Sequence, residues 1–489
     1  MKNTGWKTLI IAVLCAFIAL PAVAADKGKA PKFPAEISIG EGPISLNRAV
    51  DIAIANSRTL KANELDFESA RRKVSETKAQ FGFDVKLKGN AVQSHMNSTI
   101  SMPYTTYDVS AATSSVVLDP SSLQTPTSPV FVITNPYPVI RYNTFSLVKE
   151  WSHSSELDVT KMLYTFGKKR DAIKATGGQR DMAKIDVGIG KLDLIENVKK
   201  SFFNVLLTQE FVQVQEEAVR QAEAHLSAAK SRFEVGAAPK FDVIRAEVEV
   251  ATAKENLTTA IKGLDLSKMA LNNTIGLPVS RNIKVSDEGA YEKITIQAME
   301  YYLGVADKNR PELMKLKIAQ DVARASRRLA ENKPYLAFQW GWSFYNKGGG
   351  FSSSEHTWNA VVAAEVPVFD NGLAKAKMDQ ASRLHDKLML NEVDAREGIA
   401  LEVTQAYLGL IEAGQRIETS EAIFNAAEEG YRMAEVGFKE GVTTSIDLLD
   451  AEHGLTQAKL NRAKASFDYE TQKARLARAC GMESLNEKK

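Results

Sequence analysis

The residues of this 489-residue chain best equipped for chemistry are six histidines, two cysteines and a few grouped acids. The histidines (His95, His153, His225, His356, His385, His453) are scattered, with no HExxH or other close ligand pair. His95-Met96 with Met102 offers soft donors, but no thiolate or ligand cluster supports a metal there, and a polar surface loop explains the same residues. Gly348-Gly349-Gly350 is followed by no Lys-Ser or Lys-Thr, so it reads as a turn and not a phosphate loop. Glu216-Glu217 and Glu428-Glu429 read as solvated helix faces. These residues define no enzyme, no metal site and no cofactor. The acids Asp447 and Asp450 are different. They lie three apart just past Gly441 and share one helix face. Each would favour a helix N-terminus by about 0.3–1 kcal/mol through its dipole. Around a symmetry axis they would instead stack as two carboxylate rings, an arrangement that selects cations in pores.

The elements that carry them are long helices. No proline occurs between Pro138 and Pro239 or after Pro367. Leu192, Ile195, Val198, Phe202, Val205 and Val212 recur at three- and four-residue steps, one apolar stripe. A helix from about 168 to 235 would extend roughly 100 Å at 1.5 Å per residue. Such a length points to a coiled coil or a bundle of long helices. Breaks at Gly236 and Gly441 predict two antiparallel hairpins, with tips near 236–242 and 441–447.

The chain is also duplicated. Phe233, Gly236, Asp242, Ala246, Glu247, Ala253, Lys254 and Asn256 recur 205 positions later as Phe438, Gly441, Asp447, Ala451, Glu452, Ala458, Lys459 and Asn461. The same offset pairs Gly167 with Gly372 and Gly276 with Gly481, while upstream the offset is 253. The reading is therefore a first repeat over 25–285, with a helix over 44–80, a β-hairpin and long loop over 81–163 and a helical hairpin over 167–276. The second repeat, 286–489, has a helix over 295–332, a β-hairpin over 335–368 and a helical hairpin over 372–481. Extra chain over roughly 93–144 holds six of the fifteen prolines and reads as an elaborate strand-connecting loop, expected outside the cell.

Between the helices the period changes to two. Phe338, Trp340, Trp342 and Phe344 alternate with polar or small residues, as do Phe83, Val85, Leu87 and Ala91 and the strand from Trp358 to Val366; the fourth strand, roughly 152–163, is weaker. Apolar-out, polar-in segments of about ten residues describe a transmembrane β-barrel strand, although an ordinary sheet over a core alternates the same way. Trp151, Trp340, Trp342 and Trp358 lie in or beside these segments, where an interfacial aromatic girdle is expected. Four strands cannot close a barrel, and open edges in hydrocarbon cost several kcal/mol per unpaired group. Several chains must then share one barrel in outer-membrane lipid, and oligomerisation follows from the strand count.

The N-terminus fits that compartment. Lys2 and Lys7, an apolar run from Leu9 to Leu20 and Ala22-Val23-Ala24 make a cleaved export signal over 1–24. Cys15 lies inside it, leaving Cys480 as the one thiol of the mature chain and no internal disulfide. With 62 basic and 60 acidic residues, the balance of charge excludes a basic nucleic-acid binder.

The chain resembles the TolC-like outer-membrane efflux protein family. The resemblance rests on the segment from Ile44 to Val50 with Asn56-Ser57, on Leu163-Tyr164-Thr165-Phe166-Gly167-Lys168 and Val368-Phe369-Asp370-Asn371-Gly372 at the strand-to-helix junctions, and on Arg232-Phe233-Glu234-Val235-Gly236 and Gly437-Phe438-Lys439-Glu440-Gly441 at the tips. It implies a mainly α fold with a β-barrel portion: four strands per protomer, twelve in a trimer, in the outer membrane, and coiled-coil hairpins forming a periplasmic α-barrel. It implies docking of a periplasmic adaptor and an inner-membrane RND or ABC transporter. The docking tips would be Val235-Gly236-Ala237 and Glu440-Gly441-Val442, the second carrying a charge in place of the family's valine. Asp447 and Asp450 match the family's constriction, and Asp242 its gating acid. An arginine that helps hold the family's prototype closed is replaced by Thr443, leaving Arg232 or Arg245 to supply closure. Small-molecule efflux is favoured by analogy of fold. Type I protein secretion uses the same architecture, and a periplasmic coiled-coil scaffold without a pore explains the helices but not Trp340, Trp342 and Phe344.

Overall fold

The computed structural model describes residues 42–92, 99–107, 138–146, 152–286, 294–346 and 354–485. The export signal, His95, Met96, Trp151 and the Gly348-Gly349-Gly350 turn lie outside these residues. The chain divides into two units, a helical one (residues up to 74, 174–327 and from 378) and a strand-bearing one (75–173 and 328–377).

The helical unit is built twice on one plan. Helices α1 (Leu46–Asn56) and α2 (Arg58–Ala79) open the first copy. The long helices α3 (Lys168–Glu234) and α4 (Lys240–Thr274) form its hairpin. The second copy repeats this with α5 (Met299–Asn309), α6 (Pro311–Ala330), α7 (Leu373–Lys439) and α8 (Ser445–Ala479). Helices α3 and α7 have 67 residues each, and α4 and α8 have 35 each, so the 205-residue offset holds at both ends of every helix of the hairpins. Among the described residues, no helix is long and apolar enough to cross a membrane.

Each copy packs its short first helix onto its hairpin. In the first, Ala49, Ile52 and Ala53 of α1 meet Val198, Phe202 and Val205 of α3 and Leu271 and Ile275 at the end of α4. In the second, Tyr302 and Ala306 of α5 meet Val403, Ala406, Leu410, Tyr469 and Leu476. The apolar stripe of α3 is buried as its spacing requires, although Val214, and not Val212, is its next fully buried member. Burying one such large side chain contributes about 1.5–3 kcal/mol. The hairpins close against the short helices through glycine. A Cβ on Gly276 would lie 2.8 Å from Asn56 Cβ, and one on Gly481 2.9 Å from the Asn309 carbonyl oxygen. Both residues also have positive φ, so only glycine fits without strain.

Two single-helix expectations are corrected. The segment 44–80 forms α1 and α2, and 295–332 forms α5 and α6. Ser57 is extended, and its hydroxyl accepts the Leu60 amide at 3.1 Å, capping the next helix. Arg310 is extended because Pro311 follows, which disfavours helical backbone at the preceding residue.

In the strand-bearing unit, β1 (Phe83–Val92), β4 (Ser152–Tyr164), β5 (Tyr335–Asn346) and β6 (Ser354–Glu365) form one antiparallel sheet in the order β1-β4-β5-β6. Strands β2 (Thr99–Tyr107) and β3 (Pro138–Ser146) pair separately. The 93–144 stretch is thus not only a loop. Its Thr, Ile, Tyr and Val content suits a pleated ribbon, and Pro138 stands at the first position of its strand, where a missing N–H is tolerated. In the main sheet the register aligns Leu87, Leu157, Trp342 and Trp358 in one row and Val85, Val159, Trp340 and Ala360 in the next. On the other face, Lys88 pairs with Asp158 at 2.8 Å and Ser343 bonds Thr357 at 2.7 Å. Leu87 and Val85 are each 60% exposed and Trp358 71%, which sets an apolar face toward solvent in the isolated chain. The junction to α3 is fastened by Asp171, almost fully buried, which accepts from Arg328 Nε at 2.9 Å and Lys333 Nζ at 3.3 Å. These hydrogen bonds outweigh burial and hold its carboxyl below the usual carboxylate range.

Candidate functional site

The two hairpin turns carry the residues with functional potential, and their backbones are near copies. In the first, Ala237 N–H donates to Arg232 O (2.7 Å) and Gly236 N–H to Phe233 O (2.9 Å). In the second, Val442 N–H donates to Gly437 O (2.7 Å) and Gly441 N–H to Phe438 O (3.2 Å). This is a Schellman closure, with glycine in the left-handed conformation (φ 76° at both Gly236 and Gly441). Val235 and Val442 stand 78% and 82% exposed, and Gly236, Ala237, Glu440 and Gly441 are exposed beside them. Nothing lies within 4 Å of where a Cβ would stand on either glycine.

The return helices that leave the two turns start differently. Helix α8 starts with a capping box: Thr444 Oγ1 accepts the Asp447 amide (3.2 Å), and Asp447 Oδ2 accepts Thr444 N–H (3.0 Å) and Oγ1–H (2.7 Å). The side-chain bond from Thr444, then the backbone bond, hold the Asp447 carboxyl below its ordinary range. Helix α4 starts on Pro239 with no side-chain cap. Asp447 and Asp450 are exposed on one face of α8, whereas Asp242 is half-buried. The capping role of Asp447 is thus realised, with Oδ2 carrying both bonds and Asp450 outside them.

The tips are also tied to one another. Arg232 Nη1 donates to the Phe438 carbonyl (3.0 Å), and its guanidinium lies 4.6 Å from the centre of the Phe438 ring. His225, buried without a hydrogen-bond partner for either nitrogen, packs its ring 5.4 Å from the same phenyl. No hydrogen bond or ion pair of Arg245 is found among the described residues. Thr443 bonds the Ala434 carbonyl at 3.0 Å and fills the space beside Gly437. Sequence reasoning named Arg232 but not Phe438 as its partner, and placed His225 only among the scattered histidines. The one signal available was that Gly437 replaces arginine at the matching position of the second tip, so that only the first tip carries this cation.

Of the tryptophans expected at a membrane interface, Trp340, Trp342 and Trp358 share the apolar face of the sheet, Trp342 directly opposite Trp358 and stacked 6.4 Å from Phe344.

A sheet apolar on its outer face and open at both edges, joined to two long hairpins with glycine turns, defines a channel-forming outer-membrane protein whose helices extend into the periplasm. The family described as Outer membrane efflux protein matches residues 142–277 and 303–482, and the chain belongs to it. The chain is 27% identical to the outer membrane protein TolC of Vibrio cholerae over 59% of its length and 67% of that protein's. It is 23% identical to TolC of Escherichia coli over 68% and 70%, and 22% identical to the alkaline protease secretion protein AprF of Pseudomonas aeruginosa over 58% and 60%. Among solved structures, CusC superposes with a TM-score of 0.69 at 16% identity, covering 92% of this chain and 98% of that one. The Vibrio cholerae outer membrane protein VceC superposes at 0.67 and 15%, covering 89% and 96%. The fold is therefore TolC-like, and the family is one of transport channels, not enzymes. A periplasmic scaffold without a pore is set aside by that membership.

Proposed function

We propose that the chain is the exit duct of a tripartite export system, passively passing small toxic molecules handed over by an inner-membrane pump and a periplasmic adaptor. The observation that carries this reading is a pair of matched hairpins, each with an exposed glycine turn, on a chain with too few strands to close a barrel. Three copies supply twelve strands, which removes the edge penalty in hydrocarbon. The adaptor docks at Val235-Gly236-Ala237 and Glu440-Gly441-Val442. Asp447 and Asp450 form stacked acidic rings at the constriction with Asp242 nearby, and Trp340, Trp342 and Trp358 sit at the membrane interface. In place of the family's arginine, Arg232 ties the hairpins through Phe438.

A second reading concerns the substrate. AprF bears the name of a protein secretion component, while the cobalt-zinc-cadmium resistance protein CzcC of Cupriavidus metallidurans, 24% identical over 60% of this chain, bears that of a resistance protein. Both substrate classes thus occur among the relatives. Deletion of the chain in its host should raise drug or metal sensitivity and leave the secreted-protein profile intact. Loss of one exported protein with unchanged sensitivity would replace efflux by type I secretion. Native mass measurement in detergent should give three chains, and a stable conducting monomer would sink the shared barrel.

A further inference from the structure

Behind the tips, the seam between the hairpins holds an unusual set of titratable groups. Glu452 of α8 is buried, only 6% exposed, and faces Glu249 of α4 across the seam. Burial first, then the Glu249 charge, push its carboxyl up to about 7. Glu249 also meets His453 of α8, whose Nε2 lies 3.5 Å from Glu249 Oε2 and pairs with it when protonated. From α7, Tyr431 faces Glu452, and burial with the Glu452, Glu435 and Glu217 charges raises its phenol to about 12, so it stays neutral. The nearest cation of α8, Lys459, is committed to Glu217 at 2.7 Å. From α3, His225 sits against Phe438 with burial holding its imidazole below the usual range, against the pull of Glu249 and Asp242.

We propose that Glu249, Glu452 and His453 form a proton-operated latch between the two hairpins, closed in mild acid and released in mild alkali. In acid Glu452 is neutral beside Glu249, and the Glu249–His453 contact bridges α4 and α8. In alkali Glu452 becomes a second anion buried against Glu249, and the two carboxylates repel. Because the Glu452 carboxyl is raised in the closed seam, its stabilisation is complete below the ordinary carboxylate value and is lost as pH rises through about 7. His225 sets the acid limit. Its lowered imidazole stabilises the seam above the ordinary histidine value and withdraws that support as pH falls, since a charge there would be buried. Sequence alone does not show this latch, because the repeat offset matches Glu452 to Glu247 but Glu249 to Gly454 and His453 to Val248, so Glu249 and His453 each exist in one hairpin only.

The latch rests on the reading that these tips form the gate, and the test separates the two. Spin labels at Ala251→Cys on α4 and Gln457→Cys on α8, both exposed, report the seam in the full chain in detergent, while bilayer conductance reports the gate. Buried Cys480, its thiol pushed up to about 12, reacts slowly with the label. Between pH 6 and pH 8 the ratio of closed to open seam should fall about tenfold per protomer, seen as a longer, broader distance. Glu452→Gln should keep the short distance at both pH values, and Glu249→Gln should weaken the pH response without abolishing it, since burial of Glu452 remains. A wild-type distance indifferent to pH, or a Glu452→Gln variant that still responds, overturns the latch. Labels that part without a change in conductance keep the latch and move the gate. Conductance that changes while the labels stay together overturns the latch and leaves the gate reading intact.

Discussion

The first and second hairpin tips have the same turn and opposite chemistry. Both close on a left-handed glycine with the same pair of backbone bonds. At matching positions the first tip carries Arg232, Ala238, Pro239 and Arg245, where the second carries Gly437, Thr443, Thr444 and Asp450. The first is thus basic and starts its return helix uncapped, while the second is acidic and starts on a capping box. Duplication preserved what the backbone needs, a residue tolerating positive φ, and released the side chains. The first tip could then supply the cation and the second the aromatic ring and the acids, which makes the tie between them possible.

The largest expected effect removes what the tips share. Gly236→Trp or Gly441→Trp puts a bulky residue at φ 76°, a conformation costing a side-chain-bearing residue roughly 1–2 kcal/mol, in space the docking partner would use. The protein should still reach the outer membrane while export stops. Unchanged export in both variants would exclude docking there.

Next comes the tie. Arg232→Ala removes a hydrogen bond and a cation–π contact, together about 1–2 kcal/mol. Open probability in a planar bilayer should rise about tenfold, whereas Arg245→Ala should leave it unchanged. Equal effects of the two would erase the asymmetry argued above.

The acids follow. Asp447→Asn with Asp450→Asn should weaken cation selectivity and the block by a trivalent cation from the tip side, because crowded like charges bind multivalent ions. Asp242→Asn should do less, being half-buried on the other hairpin. Unaltered block in the double variant would move the constriction elsewhere.

The smallest effect tests the cap. Thr444→Ala should speed amide exchange in the first turn of α8, and Pro239→Ala should leave α4 unaffected. The lowered Asp447 carboxyl gives the sign with pH: the cap is intact above the ordinary aspartate value and is lost as pH falls through the lowered one. Exchange at that turn independent of acid down to pH 2 would mean the carboxylate is not needed.

Much of this was legible in the chain. The alternation from Phe338 to Phe344, the stripe from Ile195 to Val205 and the glycines at 236 and 441 report backbone period and backbone freedom, which are local properties. The breaks at Ser57 and Arg310 were less visible. The first depends on a single hydroxyl turned back to Leu60, although Pro311 did signal the second. The β2–β3 ribbon was hidden because proline and serine masked its alternating residues.

The gate shows the division most clearly. Sequence by itself determined that Asp447 and Asp450 share a helix face and that the turn before them is glycine, since both depend only on spacing along one helix. That Arg232 reaches Phe438, that His225 is buried without a partner and that Glu452 faces Glu249 were decided only by the rotation of one hairpin against the other. Helix periodicity says which residues share a face, but not which face of the neighbouring hairpin they meet. That choice belongs to the packing of the cores around Phe202 and Tyr469, which set the phase of both hairpins far from the tips.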